Sequence, residues 1–281
     1  VSMKDEIPNK VVFYGVETEI YKNRVEEVSD APYCIKCKTE YVYDYVTYGH
    51  LGGFRCPNCG YHRPQTEVSV EKVLESTPDS STILLNLNGS EYQATINLPG
   101  GYNIYNATAT AAAGYVLGIK NETIIDALSS FECGFGRMEK FTVNGTDIRM
   151  ILIKNPAGCN QVLNFLSNNT TPSLFVVALN DRFADGTDIS WIWDVDFEKL
   201  NQISDKLTEI WVTGRRADDM AMRFKYAGIP VNKIKVMKDY EQLIDAATKQ
   251  QAPVYMMPTY TAMLDIREIF SKNYGFKEFW E

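Results

Sequence analysis

Short apolar runs alternate with segments of helical periodicity through the second half of the chain, from Arg137 onward. This alternation is typical of a parallel sheet whose two faces are both covered by helices. The apolar runs predict strands at Arg149–Ile153, Leu174–Leu179, Glu209–Val212, Lys233–Val236 and Val254–Met257. The amphipathic segments predict helices at Gly158–Ser167, Asp196–Ile203, Ala217–Ala227, Tyr240–Thr248 and Thr261–Ser271. We therefore expect residues 137–281 to form a Rossmann-like α/β domain.

The first part of the chain is dominated by strand-like patterns instead. Val11–Ile20, Glu67–Glu75 and Ser81–Gly100 are rich in β-forming residues, and Asn88-Gly89 is a hairpin turn signal. These segments predict a β-rich layer in this part of the chain.

A change of period marks the end of this layer. After Gly100-Gly101, alanines recur from Ala107 to Ala113, which predicts a helix that packs close to its neighbour. Asn103 or Asn106 is placed to cap this helix, and a second helix is expected from about Glu122 to Phe131. The first part of the chain should therefore form a separate domain of strands and helices.

Four of the six cysteines form two C-x-x-C pairs separated by eighteen residues: Cys34, Cys37, Cys56 and Cys59. This spacing is typical of a zinc ribbon, in which each tight turn aims two sulfur atoms at one tetrahedral ion. Between the pairs, Tyr41–Tyr48 alternates like a hairpin strand, His50–Gly53 is the predicted turn, and Gly60 can adopt a positive φ. We expect a structural Zn²⁺ in a ribbon spanning residues 31–66, inserted in a first domain of residues 1–136.

Other uses of these cysteines are possible in principle. A redox-active C-x-x-C pair would be expected at a helix start in a βαβ unit, whereas both pairs lie in short turns. Four thiolates leave no open position for water or substrate, which disfavours catalytic zinc. His50 or His62 could replace a cysteine as ligand. The ribbon could also be an adaptor that binds protein or RNA, using the basic residues Lys36, Lys38, Arg55 and Arg63.

Composition narrows the classes of function. The chain has 281 residues, a net charge of −8 and a pI near 5.0, which argues against nucleic-acid binding by phosphate neutralisation. It shows no apolar run of membrane-spanning length and no signal peptide, so we expect a protein of the reducing cytosol. It contains neither a G-x-x-x-x-G-K-S/T nor a G-x-G-x-x-G motif, and its two histidines support no nucleophile triad. The residues alone name no reaction.

The loops that follow the strands of an α/β sheet are where ligands bind, and one of these loops is strongly acidic. Its acidic residues, with Arg182 as the internal cation, are Asp181, Asp185, Asp188, Asp194, Asp196 and Glu198. Trp191 and Trp193 have strand-like spacing that would point both rings at one surface, as at an interface. The alternative is a solvated loop with a turn at Asp185-Gly186, a helix cap at Asp196 and one tryptophan in the core.

A second candidate loop contains two neighbouring arginines. Arg215 and Arg216 follow the third predicted strand, where they could hold a phosphate or a carboxylate. Asp218 and Asp219 could instead pair with them.

Several segments carry a family resemblance. GYNIYNATATAAAGYVLGI resembles the G-x-x-N-x-x-N-A helix of Mur ligases, and FGRME resembles the hinge into their C-terminal domain. The four-cysteine insertion, LIKNPAGCNQVL, VVALNDRFADGTDISWIWDVDFE, VTGRRADDMAMRFKYAGIP and MPTYTAML resemble the MurT family within that group, so the resemblance covers nearly the whole chain. It implies part of a Mur ligase-like central domain, with an inserted four-cysteine zinc ribbon, followed by a Rossmann-like C-terminal domain.

The resemblance also implies a function. The family uses ATP to amidate the D-glutamate α-carboxyl of the lipid II stem peptide through an acyl phosphate, in the cytoplasm at the inner face of the membrane. Ammonia would come from a GatD-type glutaminase, whose Cys/His pair would be completed in trans by Asp188 in the G-x-D-x-S-W segment. Asn103 and Asn106 would contact the adenine and ribose side of ATP, with Arg137 and Asn155 as neighbours.

One departure from the family concerns the phosphates of ATP. The family's GTNGKT phosphate loop and its acidic Mg²⁺ site lie upstream of the first residue of this sequence. We therefore expect a piece of a longer subunit, which alone neither hydrolyses ATP nor amidates a substrate. A stand-alone nucleotide-binding regulator with a degenerate ligase fold is the alternative.

Overall fold

A computed structural model of the chain describes residues 3–20, 31–48, 51–131, 137–168 and 171–277. The chain forms two compact units, Val1–Glu132 and Cys133–Glu281. Each unit has its own hydrophobic core. The predicted hinge, FGRME at residues 135–139, falls partly outside the described residues.

The first unit is built on a four-stranded sheet with the order β1-β4-β5-β6, and its hairpin β2-β3 stands apart as a two-stranded sheet. The strands are β1 (Tyr14–Val16), β2 (Val42–Tyr48), β3 (Leu51–Arg55), β4 (Val68–Ser76), β5 (Ser81–Leu87) and β6 (Ser90–Ile96). Strand β1 runs parallel to β4, and the other neighbours are antiparallel. Every second residue of β5 is buried, because alternate side chains of a strand point to opposite faces of the sheet.

Two helices complete the first unit: α1 (Gly101–Val116) and α2 (Asn121–Ser130). The expectation that Asn103 or Asn106 caps α1 is wrong. The N-cap is Gly100, whose φ of 94° suits glycine, and Asn103 lies inside the first turn. Ala107 and Ala111 are buried in the same core as the sheet, so the alanine run does give the close packing that its small side chains predicted.

The ribbon hairpin lies in the chain between β1 and β4. Val42 pairs with Arg55 and Tyr43 with Phe54 in the antiparallel register of β2 and β3. The predicted turn is wrong in part, since Gly52 and Gly53 belong to β3, and residues 49 and 50 lie outside the described part. A Cβ atom on Gly52 would lie 2.2 Å from the Tyr45 carbonyl oxygen, so this glycine allows a close approach of the two strands.

The second unit is built on a six-stranded sheet with the order β11-β10-β9-β12-β8-β7. Its strands are β7 (Arg137–Val143), β8 (Thr146–Ile151), β9 (Ser173–Ala178), β10 (Leu207–Thr213), β11 (Ile234–Val236) and β12 (Val254–Pro258). All neighbours are parallel except β7 and β8. The predicted strands correspond to β8 to β12, whereas the antiparallel edge strand β7 was not predicted.

Helices cover this sheet: α3 (Pro156–Ser167), α4 (Ala217–Tyr226), α5 (Tyr240–Ala247) and α6 (Tyr260–Tyr274). One core packs α3 and α4 against one face of the sheet, and a second core packs α5 and α6 against the other. Every residue of β9 and β12 is therefore buried, which explains why their sequences are continuous apolar runs.

The predicted helix at Asp196–Ile203 is a 3-10 helix, Phe197–Ile203, and two shorter 3-10 segments precede it at Phe183–Asp185 and Ser190–Asp194. The acidic loop thus has local turns but lacks a strand or an α-helix. Among the described residues, no helix has both the length and the apolar character needed to cross a membrane.

Candidate functional site

The four ribbon cysteines bring their sulfur atoms together. The four Sγ atoms all lie within 4.8 Å of one another, with Cys34 and Cys59 3.6 Å apart and Cys37 and Cys56 3.4 Å apart. Four thiolates around a tetrahedral ion, with metal–sulfur bonds of about 2.3 Å, would lie about 3.8 Å from one another. The donor set and its spacing therefore fit a metal ion, while the distances are far longer than the bond of about 2.05 Å in a disulfide.

The two knuckles that hold these cysteines share one backbone geometry. In the first, Lys38 N donates to Cys34 O and Cys34 N donates to Thr39 O; in the second, Gly60 N donates to Cys56 O and Cys56 N donates to Tyr61 O. Lys38 and Gly60 occupy equivalent positions and have φ values of 63° and 72°. The positive φ expected at Gly60 is confirmed. His62 lies outside the sulfur cluster, with its Nδ1 atom 2.8 Å from Gly60 O, and His50 lies outside the described residues.

The pKa values of the thiols differ within the ribbon as well as between the ribbon and the core. A backbone hydrogen bond from Tyr61 acts to lower the pKa of Cys59, but burial and the neighbouring cysteine side chains raise it to about 12. Hydrogen bonds from the side chain and backbone of Thr39 lower the pKa of Cys37 to about 5, which favours the thiolate that binds metals. Burial raises the pKa of Cys159, a fully buried residue of α3, to about 12. Cys159 is therefore an inert core thiol.

A network of polar side chains attaches the ribbon to the sheet of the first unit. Glu17, just after β1, accepts hydrogen bonds from Tyr45 and Thr66 at 2.5 and 2.7 Å and forms an ion pair with Arg63. Burial alone would raise the pKa of Glu17, but these three hydrogen bonds hold it below the ordinary value of 4.5. The Arg63 guanidinium lies over Gly15, where a Cβ atom would be only 2.3 Å from its Nη2. Beside this network the ribbon and the sheet enclose a polar cleft of about 650 Å³.

In the second unit, most acidic side chains of the loop between β9 and β10 are engaged within the fold. The pairs are Asp181 with Arg215 and Arg216, Asp185 with Thr261, Asp196 with Lys199, and Glu198 with Arg223. Arg216 also pairs with Asp219 at 2.9 Å, as the alternative to a phosphate site anticipated, whereas Asp218 pairs with Lys238. The acidic density of this loop is therefore mainly structural, and arginine and lysine side chains neutralise part of it.

Asp188 is different from these residues. It is exposed, and its Oδ1 atom accepts a hydrogen bond of 2.8 Å from the backbone N–H of Ser190. That N–H, together with the Ser190 side chain, lowers the pKa of Asp188. Within the described residues, Asp188 has no ion pair, and Asp194 has neither a hydrogen bond nor an ion pair. Asp188 is therefore an exposed, ionised carboxylate held by its own turn.

The two tryptophans of the loop do not share one surface, because they lie in a 3-10 helix instead of a strand. Trp191 is partly buried and packs against the core. Trp193 is 51% exposed, packs edge-on against Tyr226 at 5.7 Å and lies over Arg223 at 5.4 Å. The strand-like spacing was thus misleading, although one of the two rings is available at the surface.

The asparagines of the predicted nucleotide site have distinct local roles. Asn103 is 1% exposed and donates to Pro99 O at 2.8 Å, while Asn106 is exposed and its Nδ2 lies 3.4 Å from Asn103 Oδ1. Asn155 is the N-cap of α3, where its Oδ1 accepts a hydrogen bond from Gly158 N at 2.8 Å. The side chain of Arg137 lies outside the described part of the chain. A role for these four residues in ATP binding stays a prediction.

Comparison with known proteins shows which proteins this chain is similar to. Residues 152–263 match the family model described as MurT ligase C-terminal. Over 272 residues, 96% of this chain and 60% of the relative, the chain is 33% identical to subunit MurT of lipid II isoglutaminyl synthase (glutamine-hydrolyzing) from Streptococcus pneumoniae. Over 94% of this chain and 58% of the relative, it is 29% identical to the MurT subunit from Staphylococcus aureus strain COL. The chain is a relative of MurT subunits.

The fold of this chain is that of Mur ligases. A pseudomurein peptide ligase type C from Methanothermus fervidus has a TM-score of 0.65 to it, at 22% identity, over 93% of this chain and 52% of that one. The predicted family resemblance and the predicted α/β, Mur ligase-like fold class are confirmed. The chain spans about 60% of the length of the curated relatives it matches.

Sequence reasoning missed the residues that hold the acidic loop in place. Asp185 contacts Thr261, which is 76 residues away in sequence, and the buried Arg223 of α4 contacts the carbonyls of Ile192 and Val195. Two signals were available in the sequence. Arg223 lies on the otherwise apolar face of a predicted helix, and Thr261 lies at the start of a helix that follows a buried strand. Neither signal identifies its partner, because the contacts depend on how the strands are ordered in the sheet.

Proposed function

We propose that the chain is part of the ligase subunit of a glutamine-dependent amidotransferase. The reaction converts the α-carboxyl of D-glutamate in the lipid II stem peptide to the amide of D-isoglutamine, in peptidoglycan biosynthesis. The similarity to MurT subunits over 96% of the chain supports the class of reaction. The observation that carries the role of this chain is Asp188, an exposed and ionised carboxylate on a loop that is otherwise held by internal contacts.

The partner in this proposal is a GatD-type glutaminase with a Cys/His pair. A thiolate attack on glutamine requires a histidine that is held in the correct orientation and stabilised as an imidazolium. A carboxylate within hydrogen-bond reach of the far ring nitrogen supplies both. Asp188 is suited to this role because it is exposed and is held by the backbone and side chain of Ser190 in its own turn. Near it in sequence, the half-exposed ring of Trp193 offers an apolar anchor for the partner protein.

The ligase half-reaction consumes ATP. The D-glutamate α-carboxylate oxygen attacks the γ-phosphorus, ADP leaves, and ammonia then attacks the acyl phosphate carbonyl with loss of phosphate. In this proposal Asn106 and Asn103 contact the nucleoside side of ATP, with Arg137 and Asn155 as neighbours. The phosphate loop and the Mg²⁺ site belong to a part of the subunit outside this sequence. The substrate is lipid-linked, so the complex acts in the cytoplasm at the inner face of the membrane.

The four ribbon cysteines bind Zn²⁺ in this proposal. A filled tetrahedral thiolate site stabilises the fold and offers no position for a substrate. Attachment of the ribbon to the sheet through Glu17 and Arg63 is consistent with a structural role.

Glutamine hydrolysis by a GatD-type glutaminase, measured with and without this chain, tests the proposal. We expect the chain to stimulate hydrolysis. Asp188→Asn should lower kcat by up to about 10⁴-fold, as loss of a triad carboxylate does. Asp194→Asn is the matched control, because it removes the same charge from an exposed residue of the same loop. Binding of the two proteins without any effect of Asp188→Asn would refute the assigned role, and absence of binding would favour the adaptor alternative, in which the ribbon binds protein or RNA.

A further inference from the structure

The loop that presents Asp188 is attached to the second unit at Asp185. Both carboxylate oxygens of Asp185 accept hydrogen bonds from Thr261: Oδ1 from the backbone N–H at 2.7 Å and Oδ2 from the hydroxyl at 2.6 Å. Thr261 lies in the first turn of α6, directly after β12, and is only 8% exposed. Asp185 therefore joins a surface loop to the buried end of the central sheet by two charge-assisted hydrogen bonds.

Thr261 is itself fixed by a buried polar cluster. Its hydroxyl accepts a hydrogen bond of 2.9 Å from Asn180 Nδ2, and Asn180 is 2% exposed. The Asn180 backbone N–H donates to Thr259 Oγ1 at 2.9 Å, and Asn180 Oδ1 accepts from the backbone N–H of Arg215 at 2.9 Å. The carboxyl ends of β9, β10 and β12 are thus linked through one asparagine and two threonines. Asp185 is therefore attached to side chains that are themselves hydrogen-bonded at the ends of these strands.

The path from this anchor to Asp188 is short. Asp185 ends a 3-10 segment, and Gly186, with a φ of 86°, turns the chain toward Asp188, three residues after Asp185. Beyond Asp188, the segment 190–198 is attached to α4 through Arg223, which donates to the carbonyls of Ile192 and Val195. Asp188 therefore lies between two attachment points, on a stretch without a strand or an α-helix to hold it.

We propose that Asp185 is a positioning residue for the glutaminase reaction, acting through its contacts with Thr261 to fix the backbone that presents Asp188. This inference rests on the proposed function of Asp188. A carboxylate that orients a partner's imidazole must be held to within about 0.5 Å, and a displacement of about 1 Å can cost about 100-fold in rate. Asp185 touches neither glutamine nor the histidine, and its effect is on the geometry of Asp188.

The test measures glutamine hydrolysis by the complex of the subunit with its glutaminase. Asp185→Ala and Thr261→Val each remove part of the attachment, and Thr261→Val does so with almost no change in volume. We expect kcat to fall at least about tenfold in both variants, with KM for glutamine unchanged and the affinity of the two proteins for each other within about threefold of wild type. Thr261→Ser keeps the hydroxyl and should therefore retain the wild-type kcat. Asp194→Ala should also have the wild-type kcat.

A double variant separates positioning from general damage to the fold. In an Asp188→Asn background, Asp185→Ala should cause no further loss, because the carboxylate that it positions is already absent. An additional loss there, or a fall in kcat that follows weakened binding of the glutaminase, would overturn the inference. Retention of kcat by Asp185→Ala and Thr261→Val, with Asp188→Asn inactive, would refute the inference and leave the proposed function intact. Full activity of Asp188→Asn would instead refute the proposed function itself.

Discussion

Arg223 and Glu198 form a two-pronged ion pair across the acidic loop of the second unit. Nη1 and Nη2 of Arg223 each lie 2.9 Å from a different oxygen of the Glu198 carboxylate. The arginine side chain is 3% exposed and the glutamate side chain 56%. Nε and Nη2 also donate to the carbonyls of Ile192 and Val195 at 2.9 and 2.6 Å. One buried guanidinium therefore donates hydrogen bonds both to the backbone carbonyls of the turn that carries Trp193 and to the carboxylate of Glu198.

Replacing this arginine should destabilise the second unit. Arg223→Met keeps the apolar stem but leaves two carbonyls without their donor, so we expect the free energy of unfolding to fall by about 2–4 kcal/mol. Urea unfolding followed by tryptophan fluorescence measures the change. Arg215→Met is the control, because the Arg215 side chain is 62% exposed. The free energy of unfolding of this variant should lie within about 0.5 kcal/mol of the wild-type value. Equal effects of the two substitutions would contradict this account.

The sequence predicts local features of this chain better than contacts between distant segments. Strands β9 and β12 were recognisable because burial on both faces requires continuous apolar runs, and the cysteine spacing alone predicted the sulfur cluster. The start of α1 was misplaced because it depends on the positive φ of Gly100, which leaves Asn103 inside the helix. The edge strand β7 lacks a long apolar run, since an edge strand has fewer neighbours to pack against.

In the candidate site, too, local features were predictable from the sequence and contacts between distant segments were not. Asp188 could be named from a local motif, whereas its surroundings could not. Asp185 and Thr261 meet only because β9 and β12 are neighbours in the sheet, an arrangement that no local pattern encodes. The expectation that both tryptophans share one surface was wrong, because a spacing of two residues points to one face only in a strand. The alternative, with one tryptophan at the core, is confirmed by Trp191.

The ribbon should contain one zinc ion per chain. Metal analysis of the purified protein is expected to give this ratio, and Cys34→Ser or Cys59→Ser should abolish it by removing one of the four ligands. Chelation should also change the near-ultraviolet circular dichroism, because the aromatic cluster of the ribbon includes Tyr41 and Phe54, whose ring centroids lie 4.9 Å apart. Cys159→Ala is the control and should retain the metal. Iron bound in place of zinc would contradict the assignment.

The attachment of the ribbon to the sheet should depend on pH. The folded-state pKa of Glu17 lies below its ordinary value of 4.5, so the ionised carboxylate stabilises the fold above that pH. This stabilisation is lost as the pH falls through the lower folded-state pKa. We expect Glu17→Gln to lower the free energy of unfolding at pH 7 by about 1–2 kcal/mol. The difference between wild type and variant should shrink as the pH falls below 4.5.

Denaturant unfolding of both proteins at about pH 7, 5, 4 and 3 measures this difference on both sides of the transition. Glu75→Gln on β4 is the control, since Glu75 is exposed and should show no difference at any of these pH values. A constant difference between wild type and Glu17→Gln across the series would show that the charge of Glu17 is not responsible.

Substitutions of Asn103 and Asn106 should have different effects on stability and on ATP binding, although both residues belong to the predicted nucleotide site. Asn103 is buried and holds Pro99 O, so Asn103→Ala removes a hydrogen bond at the start of α1 and should cost about 1–2 kcal/mol of stability. Asn106 is exposed and its side chain contacts Asn103 weakly, so Asn106→Ala should change the free energy of unfolding by no more than about 0.5 kcal/mol.

In a full-length MurT subunit, however, Asn106→Ala should weaken ATP binding by about tenfold, the loss expected for one good hydrogen bond to a bound ligand. Calorimetric titration with ATP and thermal unfolding of the same preparations give both quantities. Thr110→Ala, one turn further along the exposed side of α1, is the control for ATP binding. If Asn106→Ala bound ATP as tightly as wild type, α1 would act only as a structural helix and the nucleotide contacts would have to be sought elsewhere in the subunit.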